Sequence, residues 1–388
     1  MDSFEERIKG LVCQLKASIN KDPKITDHIS PIVLAVTFLL PSKIQLWIDQ
    51  LTSLQNELFV IKQWKSEIRP NQDELLELCQ GATGIICILT DSINENFLAN
   101  VGRELKVVST MSVGYDHIDV ASCNRLGIKV GITPGVLTGS TADITLLLIL
   151  GAIRRAKEGI LAVSEGKWGP WDPTWLLGYE FVGKTIGIIG LGRIGLAVAA
   201  RTIPLGISKI LYTTRSSDIS IDVSDNLKEI KAACVAMDQL NNKMVHLALG
   251  NSSDTDLEVQ KSSLETLLSE SDIVVITCNL SDSTYHMINS SNIKLMKKSA
   301  VLVNSARGPI VDNNALSEAL ASGTIFAAGL DVTQPEPIPV DHSLTSQPNC
   351  FILPHLGSAT QETRTKMASL ALINCISGIL GIELAHTA

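Results

Sequence analysis

Short, continuously apolar runs alternate along this chain with stretches whose apolar residues recur at helical spacing. After Ser30-Pro31 the segment PIVLAVTF reads as a first strand. Further β-rich runs follow at Gly84–Leu89, Lys106–Thr110, Ile128–Gly131, Thr185–Gly190, Lys209–Thr213, Ile273–Thr277, Ala300–Asn304, Phe326–Val332 and Phe351–Leu353. Strands that are apolar on both sides and separated by helices predict parallel sheets covered on both faces, an α/β fold. Residues 1–30 carry helical spacing (Phe4, Ile8, Leu11, Leu15) and read as an N-terminal helical extension. Ser140–Glu165 reads as one long helix, and a Gly/Pro/Trp-rich stretch, GKWGPWDPTWLLGYEFVGK, separates it from the next strand. A second strand–helix series then runs from Thr185 to about residue 350. The polar run 216–263 is long for a connection and is expected to be an insertion, with a helix over Asn226–Leu240 and a mobile tip at 250–256. A closing helix is expected over Gln361–Ile379.

Composition narrows the class. The chain has 388 residues, enough for two or three domains. A net charge of -8 with mixed signs and no Lys/Arg block predicts no nucleic-acid partner and no anionic membrane surface. None of the eight cysteines forms a Cys-x-x-Cys pair, and several lie in apolar runs. They read as buried, reduced thiols of a cytoplasmic protein, and no metal site is expected. The N-terminal residues Asp2, Glu5 and Glu6 argue against a secretory signal or an acid-poor transit peptide. The most apolar stretch, Ile144–Ile153, is roughly half a bilayer span and is bracketed by Asp143 and Arg154, so no membrane segment is expected.

Directly after the Thr185–Gly190 run come Gly190, Gly192 and Gly195, spaced G-x-G-x-x-G and enclosing Arg193 and Ile194 at the start of a helical pattern. The first glycine allows a tight turn, the second lets the backbone approach a pyrophosphate, and the third allows close packing of helix on strand. A glycine-rich turn of no function is the bland alternative, which the strand before and the helix after argue against. About 20 residues beyond the fingerprint, a chain that binds NAD would place a carboxylate for the ribose hydroxyl. Here that position holds Thr214, Arg215 and Ser216, which suit a 2′-phosphate, so NADP(H) is expected in preference to NAD(H). Asp218 is the rival residue, and a solvated surface arginine is the alternative reading of Arg215.

Three charged residues then follow strands at their expected C-terminal ends: Arg307 in VNSARGPIVD, Glu336 in DVTQPEP and His355 in ILPHLGSAT. Each has an ordinary explanation alone, as a loop arginine, a solvated carboxylate or a structural histidine. With a dinucleotide fingerprint they supply what reduction of a 2-oxo acid requires.

GIIGLGRIG, NSARGPIVD, GLDVTQPEP and LPHLGSAT together resemble the D-isomer-specific 2-hydroxyacid dehydrogenase family, over a span from about Ile32 to Leu380. STMSVGYDHID, VGITPGVLT and KWGPWDPTWLLGY resemble its glyoxylate reductase/hydroxypyruvate reductase branch. The resemblance implies two Rossmann-like, doubly wound parallel-sheet domains with the active site in the cleft between them. The substrate-binding domain would comprise 31–136 plus 352–388, and the dinucleotide-binding domain 137–351. Arg307 would bind the substrate carboxylate and polarise the 2-oxo group, and His355 would donate the proton as NADPH delivers hydride. Glu336 would orient the imidazole and favour its charged form. The amides of Val113 and Gly114 would hold the remaining carboxylate oxygen, and Leu89 would line the pocket. For the cofactor, the resemblance adds Thr141, Cys278, Leu280, Ala306, Asp331 and Gly357, with Asp331 equally readable as a loop-fixing carboxylate. Two departures are the segments 1–30 and 216–263, which lack counterparts, and Asp143 where the family carries a longer acid.

Family members pair through the long helix and its flanking segment, which here is apolar beyond one stripe and carries Trp168, Trp171 and Trp175. A homodimer is expected, with Trp171 closing the partner's site around a small substrate; the alternative is that the tryptophans cap the chain's own core. Glyoxylate and hydroxypyruvate are the expected substrates. Rival readings are a 3-phosphoglycerate-type dehydrogenase, disfavoured because little chain follows the closing helix and no basic cluster adjoins SVG, and a dinucleotide-sensing corepressor like the C-terminal-binding proteins.

Overall fold

The computed structural model describes residues 2–19, 31–53, 59–214, 227 and 257–388. The chain divides into two compact units, Met1–Leu137 with Ala359–Ala388, and Thr138–Ser358.

The first unit is built on a five-stranded sheet of β1 (Ile32–Val36), β2 (Phe59–Gln63), β3 (Gly84–Cys87), β4 (Val107–Thr110) and β5 (Lys129–Gly131), in the order β2-β1-β3-β4-β5. All neighbours pair in parallel. β3 and β4 are buried throughout, which is why they read as unbroken apolar runs. β2 was not legible as a strand, because FVIKQ sits at the sheet edge and carries polar residues. The Gln361–Ile379 helix has every residue from Met367 to Ile379 buried. It packs closely on the sheet: a Cβ at Gly84 would lie 2.8 Å from the Cys375 sulfur, and one at Gly378 only 2.5 Å from Val107. The Asp2–Ile19 helix packs against that closing helix and buries Ile8, Leu11 and Leu15. The expected N-terminal helix therefore belongs to this unit.

The second unit carries a seven-stranded sheet of β6 (Thr185–Ile189), β7 (Lys209–Thr213), β8 (Glu258–Lys261), β9 (Ile273–Ile276), β10 (Val301–Asn304), β11 (Ala327–Leu330) and β12 (Cys350–Ile352). The order is β12-β11-β10-β9-β6-β7-β8, again all parallel. This is the doubly wound dinucleotide-binding order with one strand added at an edge. Apolar clusters cover both faces.

Three expectations are corrected here. Part of the expected insertion is structural, since Glu258–Lys261 forms β8; its partly polar residues, exposed at an edge, hid it. The expected helix at 226–240 and the tip at 250–256 lie outside the described residues, save Leu227. The long helix is two helices, Thr138–Ile153 and Ala156–Ser164, broken at Arg155, whose φ is 56°. The break has a partner: the backbone N–H of Tyr179 donates to the carbonyl of Ile153 at 3.1 Å, so the returning tryptophan segment takes up the end of the first helix. Finally, β12 and the loop with His355 belong to this unit, so the return to the first unit falls after Ser358 rather than after Phe351.

Candidate active site

The order of the seven-stranded sheet reverses between β6 and β9, the switch point at which such sheets bind ligands. The fingerprint lies there. Gly190 has φ 96° and its N–H donates to the carbonyl of Thr213 at 3.0 Å. A Cβ on it would lie 2.7 Å from the backbone of Cys278, so only glycine fits. A Cβ on Gly195 would lie 2.6 Å from the Gly190 carbonyl oxygen, which also accepts from the Thr277 hydroxyl at 2.8 Å. Around Gly192, by contrast, a Cβ would meet nothing within 4 Å. Gly192 is the N-cap of the Arg193–Thr202 helix, which no side chain caps. Open space over an uncapped helix N-terminus, with tight packing on either side, fits a pyrophosphate held by the amides of Arg193 and Ile194, while the Gly192 N–H is taken up by the Gly190 carbonyl at 2.8 Å. Thr214 follows β7, whose last residue accepts from both Gly190 and Leu191. Cys278 and Leu280 follow β9 and are half-buried. Arg215, Ser216 and the rival Asp218 lie outside the described residues.

The structure brings Glu336 and His355 together. His355 Nδ1 lies 2.8 Å from Glu336 Oε2, and Glu336 Oε1 accepts from the Thr333 N–H at 3.0 Å. Both side chains keep part of their surface open, 27% and 32% respectively. His355 is held in the left-handed region, φ 54°, by its N–H donating to the carbonyl of Asp331 at 2.9 Å. The two carboxylate oxygens of Asp331 accept from the amides of Leu356 at 2.7 Å and Gly357 at 2.8 Å. Burial raises the pKa of the Asp331 carboxyl, against the lowering effect of those two amides. Its hydrogen bonds describe the loop-fixing role.

Arg307 follows β10. Asn304, almost fully buried at the strand end, donates from Nδ2 to the Arg307 carbonyl at 2.8 Å and accepts the Ala306 N–H at 3.0 Å. Gly308 presses against the next loop, where a Cβ would clash with the Thr333 carbonyl. The Arg307 guanidinium donates to the Ala306 carbonyl at 2.9 Å. Asn304, Thr333 and Thr277 escaped the sequence reading. Asn304 alone had a local signal, a polar residue ending an apolar strand that can bond its own backbone two residues on.

Thr141, on the Thr138–Ile153 helix, donates from its hydroxyl to the Gly357 carbonyl at 3.2 Å. Asp143, the shorter acid, pairs with Arg201 at 2.7 Å. Leu89, Val113 and Gly114 belong to the first unit, in the turns after β3 and β4. Beneath the second of these turns the Ser112 hydroxyl donates to the Gly114 carbonyl at 2.6 Å and lies 2.8 Å from the Thr110 hydroxyl. Beneath the first, the buried Asp91 carboxylate accepts from Thr37 and from the Ile88 N–H. Trp171 is 86% exposed, and Trp168 and Trp175 are exposed too. Among the described residues, no group of three or more potential ligands is placed to hold a metal, and no helix is long and apolar enough to cross a membrane.

The family described as D-isomer specific 2-hydroxyacid dehydrogenase, NAD binding domain, matches residues 146–249 and 223–357. The human protein named glyoxylate reductase/hydroxypyruvate reductase is 39% identical over 83% of this chain and 88% of its own length. A glyoxylate reductase of Thermofilum pendens is 41% identical over 80% of this chain and 83% of its own length. Among solved structures, the NADPH-dependent glyoxylate/hydroxypyruvate reductase of Sinorhizobium meliloti, in complex with NADP and malonate, superposes with a TM-score of 0.71 at 25% identity, covering 92% of this chain and 97% of that one. With the fingerprint at the switch point and the Glu336–His355 pair in place, the chain belongs to the D-isomer specific 2-hydroxyacid dehydrogenase family.

Proposed function

We propose that this enzyme reduces glyoxylate to glycolate and hydroxypyruvate to D-glycerate, with NADPH as the preferred reductant. The observation that carries the reading is the 2.8 Å contact of His355 Nδ1 with Glu336, which leaves Nε2 of the imidazole for a substrate oxygen. The dinucleotide, when bound, supplies the hydride that adds to carbon 2 of the acid. His355 gives its Nε2 proton to the carbonyl oxygen as that oxygen gains charge, and Glu336 offsets the positive charge of the imidazolium that is consumed. Arg307, with its fork of donors, binds the carboxylate and polarises the 2-oxo group. The amides of Val113 and Gly114 take the remaining carboxylate oxygen, and Leu89 lines the pocket. Thr141, Cys278, Leu280, Ala306, Asp331 and Gly357 complete the cofactor's surroundings.

NADPH is favoured because Thr214, Arg215 and Ser216 stand where NAD-binding chains carry an acid, and because a relative of known structure is named NADPH-dependent. The protein works as a cytoplasmic homodimer in which Trp171 narrows the partner's site. The test is a steady-state matrix of both acids with NADPH and NADH. His355→Ala is expected to lower kcat by about a hundredfold or more with dinucleotide binding retained, and Arg307→Ala to raise KM as well. Full turnover by the His355 variant would remove it as the proton donor, and an Arg215→Ala variant with undiminished NADPH preference would remove Arg215 from the ribose site.

A further inference from the structure

The Thr138–Ile153 helix holds a line of hydroxyls in which Thr145 and its partner Ser305 have no part in the reaction as described. Thr145 is fully buried and Ser305 nearly so, and their hydroxyls lie 2.7 Å apart although 160 residues separate them. Thr145 donates its single hydroxyl proton to the carbonyl of Thr141 at 2.7 Å. It has no second proton to give, so Ser305 must be the donor of the bond between them. One turn away on the same helix, Thr141 donates to the carbonyl of Gly357.

The two ends of this line are the two loops of the reacting centre. Ser305 is two residues before Arg307, and Gly357 is two residues after His355. We infer that Thr145 is a positioning residue: by accepting from Ser305 while bonded to the turn that carries Thr141, it holds the Arg307 loop in register with the His355 loop. This rests on the roles given to Arg307 and His355 above. A buried hydroxyl with a directional bond on each side specifies one arrangement, whereas an apolar residue of the same shape would leave Ser305 with a donor and no acceptor. Asn304 and Asp331 fix the backbone within each loop; Thr145 acts across them.

The test compares Thr145→Val, which removes the hydroxyl with little change of shape, and Thr145→Ser, which keeps it, in the full-length protein with glyoxylate and NADPH. Thr145→Val is expected to lower kcat/KM by about tenfold or more, mostly through KM for the acid, with the Kd for NADPH held within about twofold. Thr145→Ser should recover activity to within about threefold of wild type. In an Arg307→Ala background, Thr145→Val should cost less than about twofold, because the residue it positions is gone. Ser305→Ala breaks the same bond from the other side and should show the same pattern if Thr145→Val does not fold. Unchanged constants, equal losses in both backgrounds, or no rescue by serine would each overturn the inference. The proposed function fails separately, and this inference with it, if the wild type does not turn over the acid or Arg307→Ala keeps full activity.

Discussion

Replacing Glu336 by glutamine changes one oxygen to an NH2 and leaves the shape intact, so its cost can be worked from two distances. Glu336 Oε1 accepts from Thr333 N–H at 3.0 Å, and Oε2 faces His355 Nδ1 at 2.8 Å. A glutamine has one oxygen for these two positions. If that oxygen stays with Thr333, the NH2 faces Nδ1, which must then accept and cannot carry a proton, and the doubly protonated imidazole of the proposed reduction is disfavoured. If the amide flips, Thr333 N–H loses its acceptor. Either way a charge-assisted hydrogen bond, worth about 1.5–3 kcal/mol, gives way at best to a neutral one worth about 1 kcal/mol. The difference of about 0.5–2 kcal/mol corresponds to a fall in kcat of about two- to thirtyfold. Steady-state NADPH oxidation with glyoxylate measures it, with NADPH Kd as the control that should not move. A Glu336→Gln enzyme with wild-type kcat would refute the assignment of the pair to the proton path.

Three further outcomes follow from geometry already described. Gly190→Ala should abolish dinucleotide binding, measured by fluorescence titration, because the added methyl would sit 2.7 Å from the Cys278 backbone at a φ of 96°. Asp91 has its pKa raised by burial, so folding favours its protonated form; its contribution to stability is present at low pH and lost as pH rises through the folded pKa. The Tm of wild type relative to Asp91→Asn should therefore fall as pH rises above the ordinary carboxylate range, and a constant difference would contradict this. Trp171→Ala should raise relative activity on bulkier 2-oxo acids, and unchanged substrate ratios would exclude Trp171 from the pocket.

The parts of this molecule that local pattern encodes were legible in the sequence, and the parts set by distant partners were not. The Gly190, Gly192 and Gly195 spacing could be read because the turn, the cofactor approach and the helix packing all fall within six residues. Arg307, Glu336 and His355 could be singled out as candidates because each lies in the loop that follows an apolar run. Thr145 and Ser305 gave no such signal, since a hydroxyl in an apolar helix acquires meaning only when its partner arrives from another strand. The break at Arg155 was hidden for the same reason: the residue that ends the helix, Tyr179, comes from 24 positions further on. β8 and β2 escaped because edge strands share their surface with water and need no apolar run.

The hydrogen bond from Thr141 to Gly357 also bears on how the chain is assembled as a modular object. The segment Thr138–Ser358 is a domain inserted into another, and these two residues lie three and one positions inside its ends. The ends of the insert are therefore stitched together, so from the host's side it resembles a closed loop rather than a long detour. Insertion at such a point interrupts the host chain without stretching it, and an insert with neighbouring ends can be exchanged as a unit. Since the fingerprint, Arg307, Glu336 and His355 all lie within it, the proposed cofactor site and the proposed proton donor would travel as one cassette.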